Sequence, residues 1–162
     1  MKKVRQRTPV VLLLTLLVQA VIAQDKPRQC PTPEIAKDSK FVPGQVWAYK
    51  TRQHEESSTL TILKVEALPK LGTIIHIRVD KIRLRNCTGG PEPDKFEHMP
   101  FIRDTIERSV TKMVKEGNIP DFWEGYDEWR KACGGVYTIT VAEAVRVSEE
   151  GFRQNLGCAP KV

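Results

Sequence analysis

Three stretches of β-branched and aromatic residues follow one another through the first half of the chain, separated by short polar links. This run constrains the fold more than any other feature. Gln45-Val46-Trp47-Ala48-Tyr49-Lys50-Thr51 is the first strand. Thr59 to Ala67 alternates, with Thr61, Leu63, Val65 and Ala67 on one face and Leu60, Ile62, Lys64 and Glu66 on the other. Thr73 to Leu84 begins with Ile75, Ile77 and Val79 on one parity and ends with Ile82 and Leu84 on the other, which predicts either a bulge near Asp80-Lys81 or burial changing sides there. Leu68-Pro69-Lys70-Leu71-Gly72 links the second and third, and Gly72 is the natural source of any positive φ. Strands joined this closely make an antiparallel meander.

Two helices are expected next. Pro100 to Glu116 carries Ile102, Ile106, Val110, Met113 and Val114 at helical spacing, and Gly117, Asn118 and Pro120 stop it. The second helix spans an aromatic cluster: four of the chain's eleven aromatic residues lie between Phe122 and Trp129. Asp121 and Glu124 suit its start, and Arg130, Lys131 and Gly134 suit its end. Phe122, Tyr126 and Trp129 form one stripe that should turn inward, leaving Trp123 at the rim. Val136 to Thr140 reads as a short strand. Thr140-Val141-Ala142-Glu143 is a capping box opening a last helix to about Glu150. The expected fold is α+β: a small antiparallel sheet of three to four strands against two or three helices.

The first 23 residues have the three parts of an export signal. Lys2, Lys3, Arg5 and Arg7 precede an apolar run from Val10 to Val18, and Val21-Ile22-Ala23 suits cleavage before Gln24; cleavage after Ala20 fits as well. The apolar run is shorter than the roughly 20 residues a spanning helix needs, so no transmembrane segment is expected after cleavage. The expected organisation is signal 1–23, extended arm 24–40, one α+β domain 41–150 and tail 151–162. The 26 basic and 20 acidic residues give +6, but four basic residues and no acidic one lie in the signal. The remainder carries +2, which gives no ground for nucleic-acid binding. Cys30, Cys87, Cys133 and Cys158 are an even set in an exported chain and predict two disulfides. Four cysteines allow three pairings; the preferred one joins Cys87 to Cys133 and Cys30 to Cys158. Asn86-Cys87-Thr88 matches a glycosylation acceptor, relevant only in a host that glycosylates exported proteins.

No catalytic motif is present. His54, His76 and His98 have no close ligand spacing, so no metal or cofactor is expected. The serines lack G-x-S-x-G and S-x-x-K contexts, and no glycine-rich phosphate loop occurs. Two surface candidates remain. Trp123, Glu124 and Asp127 at the rim of the aromatic helix suit a ligand platform of the kind carbohydrate sites use, although acids early in a helix also serve its dipole. Lys81, Arg83 and Arg85 share one parity and suit an anion, although basic residues also guard strand edges.

Pro43-Gly44-Gln45-Val46-Trp47-Ala48-Tyr49-Lys50-Thr51-Arg52, His98-Met99-Pro100-Phe101, Pro120-Asp121-Phe122 with Gly125-Tyr126 and Trp129-Arg130, and Val136-Tyr137-Thr138-Ile139 together resemble a group of small uncharacterised bacterial proteins. That resemblance spans about residues 40–150 and implies one domain without assigning an activity. The expectation is a non-enzymatic module of the periplasm or exterior that binds a protein or cell-envelope component. The alternative is a small envelope hydrolase using Glu124, Asp127 or Glu128, with His98.

Overall fold

A computed structural model describes residues 30–159; the expected signal lies outside them. The elements are β1 (Glu34–Ile35), β2 (Gln45–Tyr49), β3 (Thr59–Leu68), β4 (Gly72–Asp80), β5 (Lys95–Ile102), α1 (Arg103–Ser109), β6 (Val110–Glu116), α2 (Trp123–Lys131) and α3 (Val141–Asn155). The class is α+β as expected, but the antiparallel sheet is larger. Its six strands run β5-β4-β3-β2-β6, with β1 also on β3. β4 occupies one whole edge of β3, while β2 and β1 share the other: β2 pairs with Thr59–Thr61 and β1 with Glu66–Ala67. The arm is thus drawn into the sheet from Glu34 onward.

Two of the added strands draw on the region read as one long helix: β6 lies wholly within it, while β5 begins before Pro100 and runs into it only as far as Ile102. Lys95–Ile102 pairs with β4, α1 occupies only seven residues, and Val110–Glu116 pairs with the open edge of β2. Ile102, Ile106 and Val110 do fall at helical spacing, but Val110-Thr111 and Val114 are β-formers, and β2 offers them an unfilled edge. Tertiary pairing overrides the local period. Met113 and Val114 are consequently exposed on an edge strand, where Lys112 and Lys115 discourage further pairing.

Each face of the sheet is covered differently. On one, Leu60, Ile62, Val65, Ile75, Ile77, Val79, Met99 and Phe101 meet Ile106 of α1 and Val141, Ala144 and Val145 of α3 in the main core. The uneven step from Ile62 to Val65 follows from a register shift in the β3–β4 ladder between Ile62 and Lys64. It explains why strict alternation misassigned the two faces of β3. α2 lies on the opposite face, where Phe122 and Tyr126 pack with Leu63. α3 opens with the expected capping box, Thr140 and Glu143 serving each other's backbone, and runs on to Asn155. Val136–Thr140 contributes only a bridge, Tyr137 to Phe101. The hydroxyl of Ser109 accepts from Val141 N–H at 3.1 Å and donates to the Thr105 carbonyl at 2.8 Å, joining α1 to α3.

Two disulfides form, with a different pairing from the one preferred: Cys30–Cys133 and Cys87–Cys158. The reason lies in the paths of the two tails. The arm runs beside the end of α2, where Arg130 donates to the Pro31 carbonyl at 2.9 Å. α3 carries Cys158, buried, towards the 82–87 segment instead. Among the described residues no helix is long and apolar enough to cross a membrane.

Candidate functional site

Tyr126 and Phe122 face inward as the stripe predicts, yet what they cover is mostly polar. His76 stands between Ile75 and Ile77, so the strand's alternation turns its ring away from the main core and towards α2. It is fully buried. The shifted ladder sets Lys64 opposite His76, and Glu66, only 2% exposed, lies two residues further along β3. Tyr126 Oη donates to the Glu66 carboxylate, 2.9 and 3.0 Å from its two oxygens, and Lys64 Nζ pairs with Glu66 and donates to Tyr126 Oη at 3.0 Å. His76 Nδ1 lies 2.8 Å from His98 Nε2. His76 Nε2 lies 3.3 Å from Glu66 Oε2, close but poorly aligned, so it has no hydrogen-bond partner of good geometry among the described residues. The tautomers that best satisfy both contacts put a proton on His76 Nε2, facing the carboxylate, and one on His98 Nε2, donated to His76 Nδ1.

The layer is electrostatically closed. Burial alone would raise the Glu66 carboxyl, but contacts from His76, Lys64 and Tyr126 outweigh it and hold the group at about 2. Burial lowers His76 against the opposing pull of Glu66, and burial followed by the neighbouring His76 lowers His98 to about 4. Burial also lowers Lys64, but its bonds to Glu66 and Tyr126 win and raise it. Both imidazoles are therefore neutral at pH 7, and the charged pair is Lys64–Glu66. The rings of Trp129 and Tyr126 sit edge-on to His76, with centroids 4.9 and 5.4 Å away. α2 approaches so closely at Gly125 that a Cβ there would lie 2.9 Å from His98 Cβ.

Trp123 lies above this layer and is 54% exposed. Its indole stacks on Phe122 at 4.8 Å and meets Tyr126 edge-on at 5.6 Å, with Lys64 Nζ 5.6 Å from its ring centroid. A cleft of about 500 Å³ opens beside it, walled by Arg78, Glu97, Asp121, Phe122, Trp123, Glu124, Gly125 and Glu128. Four carboxylates against one guanidinium leave this cleft at −3, and Arg78 is itself held by Asp80 and Glu97 at 2.7 and 2.8 Å. A second cleft of about 640 Å³ runs over the open part of the sheet, past Val46, Thr61, Val114 and Pro120, and shares Arg78 as a wall. Glu124 joins the Trp123 cleft as the sequence suggests. Asp127 is exposed one turn along the helix but is not part of its wall.

The basic trio is divided. Lys81 takes a left-handed φ of 58° at the predicted irregularity and lines the second cleft. That turn sends Ile82 and Leu84 into the main core and Arg83 and Arg85 outward, into a different cleft with Arg52, Glu55, Arg146 and Glu149. Sequence reading missed Glu66, Lys64 and His76 as partners. Their one signal was polar residues embedded in otherwise apolar strands. Among the described residues no group of three or more His, Cys, Asp or Glu could hold a metal ion.

No protein-family model, curated protein or solved structure matches this chain.

Proposed function

We propose that the chain is an exported, disulfide-braced binding module, working in the periplasm or outside the cell without catalysis, and that the Trp123 cleft takes a basic segment of a protein or envelope partner. The observation that carries this reading is an exposed indole fixed on Phe122 above a cleft of charge −3. An indole face and a surplus of carboxylates attract the same ligand group, an ammonium or guanidinium. The expected export signal and the two disulfides support the location. The hydrolase reading has weaker support: His98 directs Nε2 at His76, and Glu124 and Glu128 stand exposed on the solvent side of the helix.

Calorimetric titration of the disulfide-bonded chain with a lysine pentapeptide tests the proposal. Saturable binding is expected, weakened about tenfold by Trp123→Ala or by Glu124→Gln with Glu128→Gln, a loss of about 1.4 kcal/mol. It should also fall steeply with salt. Binding of a neutral oligosaccharide in place of the peptide, or peptide binding indifferent to Trp123, would overturn it.

A further inference from the structure

Away from α2, the loop between β2 and β3, the 82–85 segment and α3 enclose a cleft of about 440 Å³ lined by Arg52, Gln53, His54, Glu55, Arg83, Arg85, Arg146 and Glu149. Its floor is built from two buried carboxylates, Glu55 at 5% and Glu149 at 4% exposure. Arg52 joins them. Its Nε donates to Glu55 at 2.8 Å, Nη2 also reaches Glu55, Nη1 reaches Glu149, and Nη2 donates to the Arg83 carbonyl at 3.1 Å. Arg52 is thereby committed to structure.

The same two carboxylates fix the backbone beside it. Glu55 Oε1 accepts from Arg83 N–H at 2.7 Å, and Glu149 Oε1 accepts from Arg85 N–H at 3.2 Å. On its other edge the segment is held by Ile82 N–H to the Asp94 carbonyl and Leu84 N–H to the Pro93 carbonyl, at 2.9 and 3.0 Å. With Ile82 and Leu84 anchored in the core, Arg83 and Arg85 must both point outward, two residues apart on a rigid support. Arg146 faces them from α3, one turn before Glu149. The only ion pair of Arg83 among the described residues is a long one, 3.4 Å to the exposed Glu92.

Charge then decides the class of ligand. Four guanidiniums against two carboxylates leave the cleft at +2, and the two carboxylates are already occupied by Arg52 and by backbone N–H groups. Guanidiniums present paired donors that match the oxygens of phosphate bidentately. The support is preorganised, so little ordering is lost when a ligand arrives. Cys87–Cys158 ties the chain two residues beyond Arg85 to the chain just beyond α3, holding the two walls at a fixed separation.

We propose that this cleft binds a compact dianion of the phosphate-monoester class, with Arg83, Arg85 and Arg146 as its ligands. The site is separate from the Trp123 cleft and does not depend on the function proposed there.

The test is calorimetry of the full disulfide-bonded chain with inorganic phosphate, against chloride at equal ionic strength. A parallel arm measures sedimentation with phosphatidylcholine vesicles with and without phosphatidic acid. One saturable phosphate site is expected, weakened at least tenfold in Arg85→Ala/Arg146→Ala and unchanged in Trp123→Ala. Arg85→Lys/Arg146→Lys keeps the charge but not the paired donors and should fall between. It serves as the reading variant if the alanine pair proves unstable. Vesicle binding that needs phosphatidic acid and is competed by phosphate assigns the dianion to a lipid headgroup; phosphate binding without vesicle binding assigns it to a free phosphate compound. Absence of saturable phosphate binding, or equal binding by wild type and both double variants, overturns the proposal.

Discussion

Mild acidification should loosen the protein through the His76–His98 pair, and the effect can be isolated in a window where the carboxylates stay silent. A histidine kept neutral by folding, with its pKa depressed from 6.5 to about 4 as at His98, is protonated in the unfolded chain before it is protonated in the native one. The unfolded state therefore binds more protons between those values, and stability falls as pH drops from about 6.5 towards 4. The full displacement would amount to about 3.4 kcal/mol, and the portion reached between pH 7 and pH 5 to about 1.8 kcal/mol. The His98 ring is only partly shielded from water, and screening reduces the expected loss over that window to about 1 kcal/mol. For a chain of this size that corresponds to a fall in Tm of about 3–5 °C. Glu66, depressed to about 2, has the opposite kind of shift: its contribution is present above its ordinary value of 4.5 and is lost only as pH falls from there towards 2. Melts followed by tryptophan fluorescence at pH 7.0, 6.0 and 5.0 would therefore report the imidazoles. The two rings share a hydrogen bond, so the slope belongs to the pair. His98→Gln should reduce it, leaving the part due to His76. A wild-type Tm that is flat from pH 7 to 5, or an undiminished slope in His98→Gln, would refute the assignment of two neutral imidazoles.

Glu66→Ala leaves Lys64 without its counter-ion, strips Tyr126 of its acceptor and removes the carboxylate beside His76 in a buried layer, and should cost about 3–5 kcal/mol in urea unfolding. A loss under 1 kcal/mol would mean that water enters beneath α2. Gly125→Ala forces a methyl against His98 and should cost about 1–3 kcal/mol while altering tryptophan emission; an unchanged spectrum and Tm would contradict the close approach. A non-reducing peptide map should recover Cys30 with Cys133 and Cys87 with Cys158, and reduction should cost about 2–4 kcal/mol per bond. Recovery of the other pairings would mean that the arm does not run beside α2.

What could be read from the sequence was what is decided locally. The three central strands, the capping box at Thr140, the irregularity at Lys81 and the outward position of Trp123 each follow from residues within a few positions. Pro100–Glu116 fails that condition. Its hydrophobic spacing satisfies a helix, but the vacant edges of β4 and β2, some 20 to 70 residues earlier in sequence, recruit its ends as strands. The polar layer under α2 was hidden for a related reason. A one-residue register shift in β3 rotates Lys64 and Glu66 onto the face that His76 already occupies, and strict alternation cannot show such a shift. Disulfide partners depend on where both tails travel, which no local pattern encodes.

Both proposed clefts share one construction. Each has a wall from the sheet or its loops and a wall from a helix, and a disulfide near the end of that helix ties it back: Cys30–Cys133 after α2, Cys87–Cys158 after α3. Each helix is tied down through a buried glutamate that gathers several donors: Glu66, on β3 under α2, takes Tyr126, Lys64 and the side of His76, while Glu149, on α3 itself, takes Arg52 and the backbone of Arg85. Buried charge of this kind is poor value for stability, since apolar residues of similar volume often serve as well or better. It does fix the azimuth and depth of a helix, because sliding or rotating it would strip a carboxylate of its partners. At α2 that restraint sets the pose of Trp123 over its acidic cleft, and at α3 it sets Arg146 against Arg83 and Arg85. The two sites carry opposite charge and hang on different helices. One consequence is that reducing Cys87–Cys158 should loosen the arginine cleft while leaving the Trp123 cleft intact, and reducing Cys30–Cys133 should do the reverse.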